Sequence, residues 1–127
     1  ADALILDRFD EISQKDFDIG VTVRQPKSKE NSLPINAGVV FVRKTEQALK
    51  FVDEWIKLCE TGVSDQQELN RLCQVTTKDM DTSVIRNNTL IHVFQCRIYN
   101  NSYFKKKPAP HAKILHYKSK LRHMFPL

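Results

Sequence analysis

Three short groups of residues in this 127-residue chain have the types and spacing that chemistry requires. The first is Asn36-Ala37-Gly38, an amide and a conformationally permissive residue around a small one, at the head of the apolar run 39–42. There the amide can bond a ligand while glycine lets the backbone approach it. Equally, the trio can end a turn after Pro34. The second is Asp65-Gln66, directly after Ser64. In the first turn of a helix the carboxylate stays ionised, fit to accept hydrogen bonds from hydroxyls or to stabilise developing positive charge. Acidic and amide residues also stand there simply to cap helices. The third is His116, inside the apolar "KILHY", which is either a satisfied core histidine or a ligand.

Charge is more telling in its distribution than in its total of +5. Residues 97–127 hold eight of the 20 Lys and Arg and none of the 15 Asp and Glu, which leaves the first 96 at a net of −3. A basic segment of this kind is a solvated tail or a partner for polyanions: nucleic acid, an anionic surface or a ligand's phosphates. Tyr99, Tyr103 and Phe104 interleave with the bases, but no nucleic-acid-binding motif accompanies them. Cys59, Cys73 and Cys96 form no C-x-x-C pair, which excludes the common zinc frameworks and favours reduced thiols and a reducing compartment. The sequons Asn87-Asn88-Thr89 and Asn100-Asn101-Ser102 carry no weight, being expected by chance. No run approaches a membrane span or a signal peptide. The chain opens on Ala, the expectation being an excerpt of something longer, so cytoplasmic placement is favoured but a secretory or Golgi one follows if an upstream segment carries an anchor.

The elements that must position these groups alternate between strands and helices. "ALIL" reads as a buried strand end, "RFDEIS" as one helical turn, and "FDIGVTV" as a β-branched strand. Residues 24–34 are polar, hold two prolines and predict an exposed, mobile loop. A strand over 35–42 then leads to a helix over 45–60, with Thr45 as its N-cap and Ala48, Leu49, Val52, Trp55, Ile56 and Cys59 on its core face. Gly62 stands where a C-cap should. Ser64 and Gln67 predict a capping box that starts another helix, with Leu69 and Leu72 buried. "TSVIR", "LIHVFQ" and "KILHY" predict three more strands, the last two separated by the basic loop "YFKKKPAPHA". The fold class is α/β, a mixed sheet with flanking helices, in a single domain over residues 1–127.

"NAGVVFVR", an amphipathic helix, "DQQELN" and a late "ILHYKSKLRH" together resemble the order of motifs in GT-A-type nucleotide-diphospho-sugar glycosyltransferases, nearest to the glycogenin-like and bacterial galactosyltransferase-like families. "ADALILDRFDEI" is similar to the segment in which such enzymes carry a D-x-D metal motif, with Asp2 as its second Asp. The resemblance spans residues 2–123 and implies a partial GT-A, Rossmann-like fold: the second half of a catalytic domain, whose nucleotide-binding half precedes Ala1, so that the fragment alone would be inactive.

The resemblance also implies roles. Asn36, Ala37, Gly38 and Asp65 border the donor sugar, and Asp65 and Gln66 act at its reacting face in a transfer that retains anomeric configuration. Asp2 and His116 hold Mn²⁺ or Mg²⁺. The family's late H-x-x-G-x-x-K becomes His116, Ser119 and Arg122 here; Arg keeps a phosphate partner in a different geometry, and Lys118 and Lys120 add to a diphosphate clamp. The implied partners are a nucleotide-sugar donor, such as a UDP-sugar, and a carbohydrate, protein or lipid acceptor, with no nucleic acid. Asp2, Asn36, Asp65, Gln66 and His116, up to 114 positions apart, must then converge on one edge of the sheet. Two rivals need less: an anionic-ligand binder would use only the basic C-terminal segment, and a non-catalytic carbohydrate-binding module would keep Asn36 and Asp65 without a metal.

Overall fold

The computed structural model describes residues 3–25, 33–103 and 109–117. Its strands form the expected mixed α/β arrangement in two mixed sheets. The four-stranded sheet runs β3 (Phe41–Val42), β2 (Ile19–Val23), β5 (Thr89–Gln95), β4 (Ser83–Arg86), with β2 and β5 parallel and the outer strands antiparallel. The three-stranded sheet runs β1 (Ala3–Ile5), β7 (Ile114–Tyr117), β6 (Asn101–Tyr103), with β6 parallel and β1 antiparallel to β7. Helices α1 (Glu11–Gln14), α2 (Glu46–Thr61), α3 (Asp65–Cys73) and α4 (Cys96–Tyr99) complete the α/β fold.

Strand alternation divides the core in two. Ile19, Val21 and Val23 of β2 and Ile91 and Val93 of β5 face α2 and α3, where Ala48, Phe51, Leu69 and Cys73 close one cluster. On the opposite face Phe94 joins Phe17, Tyr99, Ile12 and Ile114, with Phe9 and Phe41 packed against them edge-on or tilted. Burial on both faces explains why β2 is buried at all five positions. Asp18 ties the sheet to α2: its carboxylate accepts from the Thr45 hydroxyl at 2.7 Å and from Leu90 N–H at 2.8 Å.

Most predicted elements stand near their predicted places, and four expectations need correction. The strand over 35–42 is a strand only at Phe41–Val42, with Ile35 forming an isolated bridge to Val23; the residues between make a turn. The core face of α2 is turned from the expected one. Phe51 is buried and Val52 and Trp55 pack against the core, but Leu49 and Ile56 are each 53% exposed. Gly62 does end α2, yet in an extended conformation and not a left-handed one. A Cβ there would come within 2.5 Å of the buried Glu68 carboxylate and 2.7 Å of Leu58 O, so close approach of α3 is what requires glycine. Finally, α4 and β6 fall within a stretch given no elements of its own. Asp2, Lys118, Ser119, Lys120, Arg122 and the middle of loop 24–34 lie outside the described residues.

Candidate active site

The two parallel strands set the location. β2 and β5 point the same way, and the chain leaves β5 directly into α4 and Asn100, beside the end of β2. The carboxyl ends of parallel strands are where α/β sheets open a crevice for ligands. Past β2 the chain returns antiparallel to it: Arg24 N–H donates to Pro34 O at 3.0 Å and Asn36 N–H to Thr22 O at 3.1 Å.

Asn36 then makes the turn. Buried to 3% exposure, it accepts from Gly38 N–H through Oδ1 at 2.8 Å, an Asx-type bond that bends the backbone away from a strand path. Helix α3 holds this turn from outside. Asn70 turns both ends of its amide to Ile35, Oδ1 accepting from Ile35 N–H at 2.9 Å and Nδ2 donating to Ile35 O at 3.0 Å, as a neighbouring strand would, while Nδ2 also donates to Gln66 O at 2.8 Å. One turn earlier in the helix, Gln66 Oε1 accepts from Ala37 N–H at 3.3 Å. Ser64 fixes where α3 starts, since its hydroxyl accepts from Gln67 N–H at 3.1 Å. "NAG" and "DQQELN" are thus two halves of one contact.

His116 closes the site from β7. Its ring lies so close to Gly38 that a Cβ there would collide with Cε1 and Nδ1, so glycine is needed for the ring, its φ not being positive. His116 Nδ1 is 3.0 Å from Oδ1 of Asn100, a residue 1% exposed whose Nδ2 donates to Thr22 Oγ1 at 3.0 Å and Asn36 O at 3.3 Å. Asn36, Ala37, Gly38, Gln66 and His116 therefore meet by direct contact. Asp65 adjoins them, exposed, its carboxylate accepting from Gln66 N–H at 2.8 Å and its carbonyl from Trp55 Nε1 at 2.9 Å.

Sequence reasoning missed Thr22, Asn70 and Asn100. Asn70 sits inside the quoted "DQQELN", and its spacing of four from Gln66, one helical turn, was the available signal. Asn100 lay in a sequon set aside as chance; nothing local distinguished it. Among the described residues no group of three or more His, Cys, Asp or Glu could hold a metal ion. The donor chemistry still fits one ligand: His116 is an imidazole held by a hydrogen bond at one ring nitrogen, the arrangement typical of metal-binding histidines. A separate open cleft of about 860 Å³, lined by Ile5, Leu6, Phe9, Phe41 and Arg43 among others, contains none of these polar residues. Its polar groups are already engaged with one another or with the backbone: Arg8 pairs with Asp10 at 2.6 Å, Asp7 accepts from Arg8 N–H, Ser13 donates to Asp10 O, and Arg43 donates to the carbonyls of Ile12, Ser13 and Lys15, which leaves the polar junction as the candidate site.

No helix among the described residues is long and apolar enough to cross a membrane. Searches of curated proteins and of solved structures returned no significant match. One family model does match, over residues 3–124, nearly the whole chain and both motifs that meet at Gly38. The chain belongs to the nucleotide-diphospho-sugar transferase family.

Proposed function

We propose that this chain carries the donor-sugar and metal side of a GT-A-type, glycogenin-like glycosyltransferase that moves a sugar from a nucleoside-diphosphate donor, such as a UDP-sugar, with retention of configuration. The observation that supports the reading is the contact of Gly38 with the His116 ring, which brings the motif proposed to bind sugar against the histidine proposed to bind metal, at the end of a parallel strand pair. Ala3 pairs in register with His116, and the other proposed metal ligand, Asp2, is the residue before Ala3 in the sequence. Mn²⁺ or Mg²⁺ held by Asp2 and His116 supplies Lewis-acid neutralisation of the diphosphate when bound.

The chain's own residues do the rest. Asp65, exposed at the first turn of α3, accepts hydrogen bonds from sugar hydroxyls and stabilises positive charge developing at the anomeric carbon. Gln66 has its carbonyl on Ala37 N–H, so its contribution to the sugar comes from its NH₂ group. A neutral amide whose oxygen is already engaged is a poor nucleophile, which favours attack from the leaving-group side. The bond from the anomeric carbon to the diphosphate oxygen breaks, the acceptor oxygen bonds the same carbon, and the acceptor's proton passes to the departing diphosphate oxygen. Lys118, Lys120 and Arg122 hold its charge.

Titration of the full-length protein with UDP, with and without Mn²⁺, tests the reading. Metal-dependent binding is expected. Binding that is indifferent to metal and survives His116→Ala would instead favour an anionic-ligand binder using the basic segment, and binding of sugars alone would favour a carbohydrate module.

A further inference from the structure

The amide of Asn100 can stand only one way round. It faces Asn36 O at 3.3 Å, and a main-chain carbonyl can only accept, so the nitrogen end must lie there. The Thr22 hydroxyl agrees: it accepts from the same Nδ2 at 3.0 Å and donates to Asn36 O at 3.4 Å. The other end, Oδ1, is therefore the atom 3.0 Å from His116 Nδ1. That oxygen can only accept, so Nδ1 carries the proton and, in the neutral ring, Nε2 carries the lone pair.

We propose that Asn100 is a positioning residue that fixes the His116 imidazole in its Nδ1–H tautomer, with Nε2 as the ligand-binding nitrogen, and locks the ring to the 36–38 turn. One buried amide holds both pieces: Asn36 through its carbonyl and His116 through its ring. Gly38 then lies flush against the ring, so the sugar-side turn and the imidazole keep one relative position. Thr22, fully buried near the end of β2, anchors the amide to a strand buried at all five of its positions. Assigning Nε2 to a divalent cation rests on the function proposed above; the tautomer does not.

The test is long-range ¹H–¹⁵N correlation of the full-length protein labelled with ¹⁵N-histidine, at alkaline pH where imidazole is neutral, with His116→Gln identifying the resonances. The wild-type His116 is expected to show a protonated Nδ1 and an unprotonated Nε2. Asn100→Asp keeps an acceptor for Nδ1–H and should keep the tautomer; Asn100→Ala should convert the ring to the Nε2–H form or a mixture. Mn²⁺-dependent UDP binding should weaken about 10- to 100-fold in Asn100→Ala and be partly rescued in Asn100→Asp, the range found for partners of metal-binding histidines. A wild-type ring protonated at Nε2 overturns the proposal, as does an Asn100→Ala protein with unchanged tautomer. Should Asn100→Ala fail to fold, the wild-type and Asn100→Asp spectra still decide. If the tautomers behave as expected but Mn²⁺ leaves the wild-type His116 signals unbroadened, the metal reading fails and the role of Asn100 stands.

Discussion

Tyr99 and Asn100 are neighbours in sequence, yet they serve two polar clusters of opposite design. The Tyr99 hydroxyl donates to Glu11 Oε1 at 2.7 Å, and the same oxygen receives Lys113 Nζ at 2.6 Å, a charged clamp that ties α1 to the segment before β7. Glu11 remains 40% exposed there. Asn100 instead joins Thr22, Asn36 and His116 through amide, hydroxyl and imidazole groups, with Asn100, Asn36 and Thr22 buried. Charge is tolerated where water still reaches it, because burying an ion costs several kcal/mol. Directionality belongs inside, where neutral donors and acceptors can each be matched once. The first cluster closes the fold; the second orients groups at the proposed site.

That contrast predicts its own tests. The largest effect should come from Gly38→Val, whose branched side chain would occupy the space of the His116 ring. A cost of about 3 kcal/mol in chemical denaturation is expected, as for overpacking, together with loss of Mn²⁺-dependent UDP binding. Normal binding in this variant would mean that the ring and the turn move independently. Next is Asp65→Asn, which in the active enzyme should lower turnover by roughly 10² with UDP affinity nearly unchanged, since the proposed partner is the sugar. Full turnover, or an inverted product, would return Asp65 to the role of a helix cap.

Asn70→Ala follows, at about 2 kcal/mol, because it strips both main-chain partners from the buried Ile35. Hydrogen exchange should quicken at Ile35 and Ala37 before the rest of the sheet. Glu11→Gln should cost the least, about 1 kcal/mol or less, as expected for a half-exposed pair. Its signature is pH. Hydrogen bonds from Lys113 and Tyr99 lower the Glu11 carboxyl from 4.5 to about 2, so its contribution is fully present above 4.5 and is lost as pH falls toward 2. Denaturation curves of wild type and Glu11→Gln should converge over that interval. Tyr99, raised by burial and by the Glu11 carboxylate, adds a loss of stability as pH rises past 10. If the two proteins keep a constant difference down to pH 2, the clamp is not electrostatic.

Several elements were legible because their causes are local. Thr45 and Ser64 cap the helices they were expected to cap, accepting from Ala48 N–H and Gln67 N–H. The β-branched runs of β2 and β5 became the buried parallel pair. Errors arose where a distant group took over a local one's task. The 35–42 strand is interrupted because Asn36 bonds Gly38 and because the Asn70 amide substitutes for a strand beside Ile35, 35 residues away. The face of α2 turned because Trp55 reaches forward to Asp65 O and Phe51 fills the sheet side, leaving Leu49 and Ile56 outward.

By itself, the sequence determined the alternation of strands and helices, the places where α2 and α3 begin, and the family order of "NAG", "DQQELN" and the late histidine. All of these rest on contacts within one or two turns of chain, or on motif order. Only the tertiary structure decided that Gln66 meets Ala37, that Gly38 must lack a Cβ for the sake of His116, and that Asn100 joins the two. An amide has the same local appearance in a solvated turn as in a buried junction. What gives Asn100 its single orientation is a main-chain oxygen 64 positions earlier and a ring nitrogen 16 positions later, and that pairing exists only once the strands have packed.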